Sequence, residues 1–225
     1  MANLPAQLQR ILDEGYEFKF GEYISRGFNM MQQNLGGFIG YYLLFMLILF
    51  GSMIIPIIGP LAVMVITPAL IIGPAIVANK IDRNEPSTFN DFFQGFNRFG
   101  DLFLVLLLTA LIGMAALIPG YALIFYSIFS NMGSMTDYDP GDPYAGFDTM
   151  IRLFSNPMFL LGMLLAIVPA IYISVSFSWA YFFVWFYKMS AWDAMQASRK
   201  IIGKKWWLLF GFVIVIGLIG ALGIL

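Results

Sequence analysis

Long stretches without a single charge alternate with short polar ones along this chain. Positions 38–79, 102–136, 153–187 and 206–225 contain no Asp, Glu, Lys or Arg. An α-helix rises 1.5 Å per residue, so ~20 residues cross a hydrocarbon core of about 30 Å. Each run is long enough for one crossing, and 38–79 is long enough for two. No water reaches the hydrocarbon to bond peptide groups, so such runs must satisfy their own N–H and C=O groups as helices. Gly51, Pro56, Gly59 and Pro60 interrupt the first run. Glycine and proline break helices, and proline also restrains its predecessor. This punctuation predicts helices over 38–55 and 60–79 joined by a tight apolar turn; a re-entrant pair of half-length helices is the alternative. Further spans are expected at 102–130, 157–187 and 206–225. Pro119 and Pro169 fall mid-span and predict tilted or kinked helices. The fold class is therefore an all-α, polytopic transmembrane helical bundle with about five visible spans.

The polar stretches have their own pattern. Tyr23, Ser25, Arg26, Phe28 and Met31 precede the first span. Phe92, Phe93, Phe96, Arg98 and Phe99 precede the third, and Met195, Ser198, Arg199, Lys200, Ile201 and Ile202 the last. Apolar residues recur there at helical spacing, which predicts amphipathic helices in the cytoplasmic interface, apolar face toward lipid. Arg26, Arg98, Arg199, Lys200, Lys204 and Lys205 are the expected contacts to lipid headgroups. A plainer role is that of elbows that turn the chain into the bilayer. The similarity of the three segments also hints at an internal repeat. The chain divides into an amphipathic N-terminal segment, 1–37, and a transmembrane domain, 38–225, with an acidic outer loop at 131–156. With alternating crossings, eleven of the twelve basic residues fall on one side, and only Arg152 lies on the other. The excess of Lys and Arg places the N-terminus in the cytoplasm. Tyr41, Tyr42, Trp179, Trp185, Tyr187, Trp192, Trp206 and Trp207 lie near the expected span ends, where amphipathic rings favour the headgroup zone. Residues 1–37 have no apolar core suited to a secretory signal.

Composition narrows the chemistry. The chain has no cysteine and no histidine, so disulfides, thiolate or imidazole metal sites and a Ser-His-Asp triad have no residues to use. The net charge of −1 gives no general attraction for nucleic acid. No cofactor is expected. Asp137, Asp139 and Asp148 stand at positions one, three and twelve of a calcium-loop frame. That frame needs glycine at position six, where this chain has Asp142, and its last ligand would be Asp in place of Glu, so a solvated loop is the stronger expectation. The span interiors carry no ionisable residue of the kind that marks proton relays and ion paths. Their polar groups are hydroxyls, at Thr67, Thr109, Ser127, Ser174, Ser176 and Ser178, which serve backbone carbonyls and neighbouring helices. Gly113, Ala115, Ala116 and Gly120 predict close helix packing.

Tyr23, Ser25, Arg26, Gly27 and Phe28, followed by 34–40 (Asn-Leu-Gly-Gly-Phe-Ile-Gly), resemble the start of a broad group of uncharacterised bacterial membrane proteins. Residues 191–200 and the run from Lys204 to Gly211 resemble the hallmark before that group's fifth helix. The group includes the membrane domain fused to some glycerophosphodiester phosphodiesterases, and its members are usually six-helix proteins with cytoplasmic termini. The resemblance implies a sixth helix after Leu225 and brings no catalytic residues. The expected function is that of a noncatalytic scaffold or accessory subunit in the bacterial inner membrane, partnered by membrane lipids and other membrane proteins. The alternatives are a permease-like protein handling lipids or small apolar substrates, and the membrane domain of an enzyme whose catalytic part lies elsewhere.

Overall fold

A computed structural model describes residues 5–130 and 145–222. Among them all regular structure is helical, without a strand. Among the described residues four helical stretches are long and apolar enough to cross a membrane, or five when the bent pair at the C-terminal end counts as one. The chain divides into two compact units, 1–108 with 176–225 and 109–175.

The first unit is built on a helical hairpin. α1 (Ala6–Glu14) and α2 (Phe20–Gln33) lead to α3 (Leu35–Ser52) and α4 (Ile58–Asp82). Asn34 starts α3 by accepting a hydrogen bond from the Gly37 amide at 3.2 Å. The turn between α3 and α4, 53–57, contains Pro56, while Gly51 lies in the last turn of α3 and Gly59 and Pro60 in the first turn of α4. Ile57 there takes φ 69°, a strained value for a β-branched residue. Both helices are continuous over spanning lengths, 18 and 25 residues, so the apolar run forms a hairpin of two whole helices.

α4 runs through Pro68 and Pro74 without interruption. A proline deprives the carbonyl four residues earlier of its partner. For Pro74 that carbonyl is Leu70, and the Tyr41 hydroxyl of α3 donates to it at 2.6 Å. The tyrosine satisfies a buried acceptor and fixes the register of the two helices together.

A 3-10 helical segment (Phe89–Arg98) follows and packs along α4. Its three-residue period stacks Phe89, Phe92 and Gly95 in one column. Phe92 is fully buried, stacked on the Tyr41 ring at 4.8 Å and edge-on to Phe38. A side chain on Gly95 would strike the Ala69 carbonyl, and one on Gly73 the Phe92 carbonyl, each at 2.1 Å. The two backbones touch because neither position carries a Cβ. The apolar face of this segment thus meets protein at Phe92, although Phe89 and Phe96 remain exposed.

The chain then enters α5 (Phe99–Ser130), 32 residues that continue through Pro119. α6 (Ala145–Ser155) and α7 (Pro157–Phe177) follow. The run containing Pro169 is interrupted after it, at Ser178 and Trp179, before α8 (Ala180–Tyr187). In the second unit α5 and α7 cross where Gly120 faces Gly162 and Ala166. A Cβ on Gly120 would lie 2.6 Å from the Ala166 nitrogen. Gly113, which the sequence groups with Gly120, has open space around it. Leu111, Ile118, Phe125, Leu164 and Val168 of these two helices are exposed.

α9 (Ala191–Gly203) meets α10 (Trp206–Leu222) at 98°. Ser190 caps α9 by accepting from the Asp193 amide. Its apolar face, Ala194, Met195, Ala197, Ile201 and Ile202, is buried within the first unit, where α8 and α1 pack on it. The sequence pattern points that face toward lipid; the structure fills it with protein instead. The Ser198 hydroxyl donates to the Ser176 carbonyl at 2.7 Å, next to the interruption between α7 and α8. α2 differs from α9, because none of its residues is buried and Tyr23 and Phe28 are exposed.

Candidate functional site

The residues expected at headgroups separate into three groups. Arg98 turns inward and donates to the Val184 carbonyl and to Asp101. Val184 lies in the last turn of α8. Lys188, in the left-handed region at φ 55°, sends its amide to Phe183 instead, so α8 ends there with the Val184 carbonyl open to Arg98. The arginine thereby caps a helix far away in sequence. Arg26 on α2 forms an exposed ion pair with Asp82 at the end of α4.

The other four stand at the elbow between α9 and α10. Lys204 donates to the Leu12 carbonyl of α1, and Lys205 lies over the Tyr16 ring at 5.6 Å. Tyr16 also donates to the Ile201 carbonyl at 3.4 Å, and burial raises its hydroxyl pKa above the usual phenol value. Arg199 and Lys200 point outward from α9, and Arg199 contacts only Gln196. Trp207, on the first turn of α10, is 77% exposed, and its ring meets Trp206 edge-on. Since the apolar face of α9 is occupied, its outer face is left with Trp192, Gln196, Arg199 and Lys200. The elbow is a cationic, aromatic-edged surface.

A second polar cluster, which sequence reasoning missed, joins α4 to the 3-10 segment. Lys80 and Asp91 pair at 2.6 Å, and Asp91 is only 4% exposed. The Thr88 amide at 2.7 Å, the Thr88 hydroxyl at 3.1 Å and Gln94 also donate to Asp91. Thr88 and Asp91 form a reciprocal capping box. Burial pushes the Asp91 carboxyl up, but Lys80 and Thr88 outweigh it and hold the pKa below its ordinary value. The Thr-x-x-Asp spacing ahead of the phenylalanines is the signal that could have revealed it. Every lone pair this carboxylate offers is engaged, so the cluster is a structural lock and not a reactive centre.

Asp137 and Asp139 lie outside the described residues, as does the side chain of Asp148. Among the described residues no group of three acidic side chains converges on a metal position. An apolar cavity of about 160 Å³ opens beside Pro74, lined by Tyr41, Tyr42, Phe45, Leu70 and Ile71. Small-molecule sites usually take about 300 Å³ or more. A polar groove of about 580 Å³ lies by Asn34, Asn84, Glu85 and Ser87. Comparison with protein-family models, with curated proteins and with solved structures found no match to this chain.

Proposed function

We propose that this chain is a noncatalytic integral membrane protein of the bacterial cytoplasmic membrane, acting as a helical scaffold or accessory subunit of a membrane assembly. One observation carries the proposal. The described parts of α5 and α7 present Leu111, Ile118, Phe125, Leu164 and Val168 outward, with no ionisable group along their apolar length. Such a surface is stable only against lipid or other apolar helices, and it supplies no acid, base or relay for chemistry. The basic excess ahead of the spans supports a cytoplasmic N-terminus. The partners are membrane lipids and other membrane proteins. The apolar cavity beside Pro74 has roughly the volume that takes a benzene ring, too little for a lipid chain.

Purification in mild detergent with mass spectrometry tests the proposal. A stoichiometric membrane-protein partner is the expected result. A lone monomer carrying a tightly bound substrate, and moving it across vesicles, would overturn it.

A further inference from the structure

The elbow between α9 and α10 has a feature that a general scaffold does not require. Arg199, Lys200, Lys204 and Lys205 fall within seven consecutive positions, with no acidic residue among them. Asp193 is bound to the Ser190 hydroxyl at the far end of α9. Among the described residues none of the four cations is in an ion pair. The 98° bend sets α9 across the end of α10, so when α10 enters the membrane α9 lies along its surface. Gly203 stands at the bend, exposed, with open space where a side chain would be. Beside that gap Trp207 projects, exposed, from the first turn of an apolar helix, and indole rings at the ends of membrane helices favour the level of glycerol and headgroup.

We infer that this elbow binds the phosphate of an anionic glycerophospholipid. Arg199 and Lys200, both exposed on the outer face of α9, face the phosphate, while Lys204 is held by the Leu12 carbonyl, and Trp207 packs against the glycerol and the first acyl carbons. The charge balance selects the lipid. A zwitterionic headgroup would bring its own cation against Arg199 and Lys200, whereas an anionic headgroup adds none. The expectation formed from sequence is narrowed, because Arg98 is spent within the fold and Arg26 is paired with Asp82. The inference needs the membrane assignment but not the scaffold role.

The test places the full chain in nanodiscs of phosphatidylcholine with a graded fraction of phosphatidylglycerol. Lipids that survive delipidation are counted by native mass spectrometry. Retention of phosphatidylglycerol over phosphatidylcholine is expected. Each removed charge is worth about 1 kcal/mol, which is about fivefold in affinity. Lys200→Gln, at an exposed position outside the ion pairs of the described residues, should weaken retention about fivefold, and Arg199→Gln with Lys200→Gln about twentyfold or more. Lys19→Gln, paired with Glu22 on another element, should leave it unchanged. Trp207 fluorescence should be quenched by brominated phosphatidylglycerol more than by brominated phosphatidylcholine. Equal retention of the two lipids, or a double variant that keeps its preference, would overturn the site while leaving the scaffold role to its own test.

Discussion

Proline's missing N–H explains the placement of one tyrosine. Pro74 leaves the Leu70 carbonyl without a helical partner, and Tyr41 supplies the donor. Tyr41→Phe should destabilise the detergent-solubilised protein by about 1–2 kcal/mol, since a buried acceptor is left unmade. In a Pro74→Ala background the restored amide can serve Leu70, and the same tyrosine change should then cost about 1 kcal/mol less. A double-mutant cycle on thermal unfolding reads that coupling. Asp91, outside the apolar spans, supplies a pH signature. Its folded-state pKa is depressed, so its contribution is complete above the unfolded value and is lost as pH falls through the folded one. Thermal stability should hold from neutral pH down to the ordinary carboxylate value and decline from there as pH falls toward the depressed folded value. Asp91→Asn should abolish that acid-linked decline. It should also lower stability by about 3 kcal/mol, because a partly buried Lys80 loses its counter-charge.

Glycines of similar appearance have opposite meanings at the scale of elements. Gly73 and Gly95 permit backbone contact between α4 and the 3-10 segment, so Gly73→Ala must push apart a carbonyl now 2.1 Å from the new methyl. A loss of about 3 kcal/mol or more is expected, as for severe overpacking. Gly113 sits inside α5 with free space, and Gly113→Ala should be neutral or stabilise by up to about 1 kcal/mol through helix propensity. Melting temperatures of the two variants settle the contrast. The sequence could not separate these glycines, because the atoms that crowd Gly73 lie on another element. The hairpin turn was legible for the opposite reason: Gly51, Pro56 and Pro60 act on their own backbone. The phenylalanines at 92, 93, 96 and 99 suggest an α-helical stripe facing lipid, yet the three-residue period was chosen by α4, which demands Phe92 and Gly95 in one column. Arg98 misled in the same way, since the carbonyl it caps lies 86 positions away.

Over the whole molecule, uncharged runs reveal helices that need a membrane, because that requirement depends on composition and length alone. The polar sites depend on which distant elements meet, so the Lys80–Asp91 lock and the inward turn of Arg98 stayed hidden. The proposed sidedness rests on charge, and the absence of cysteine makes it measurable, because any introduced thiol reports alone. Ser25 on α2, Asn84 after α4 and Trp192 on α9 are all exposed and belong to the positively charged side. Met150 on α6 is exposed too, in the stretch where Arg152 is the sole cation between 99 and 187. Cysteines at the first three positions should stay unlabelled by a membrane-impermeant maleimide applied to intact spheroplasts, and should react once the membrane is opened. Met150→Cys should react from outside without opening. Two full crossings by α3 and α4 keep positions 25 and 84 together, and so would no crossing. A cysteine in the turn at Ile54 separates those cases: it joins Met150 on the outer face if the hairpin spans, and stays with Ser25 if it re-enters. The continuous 18- and 25-residue helices on either side of that turn predict outer labelling.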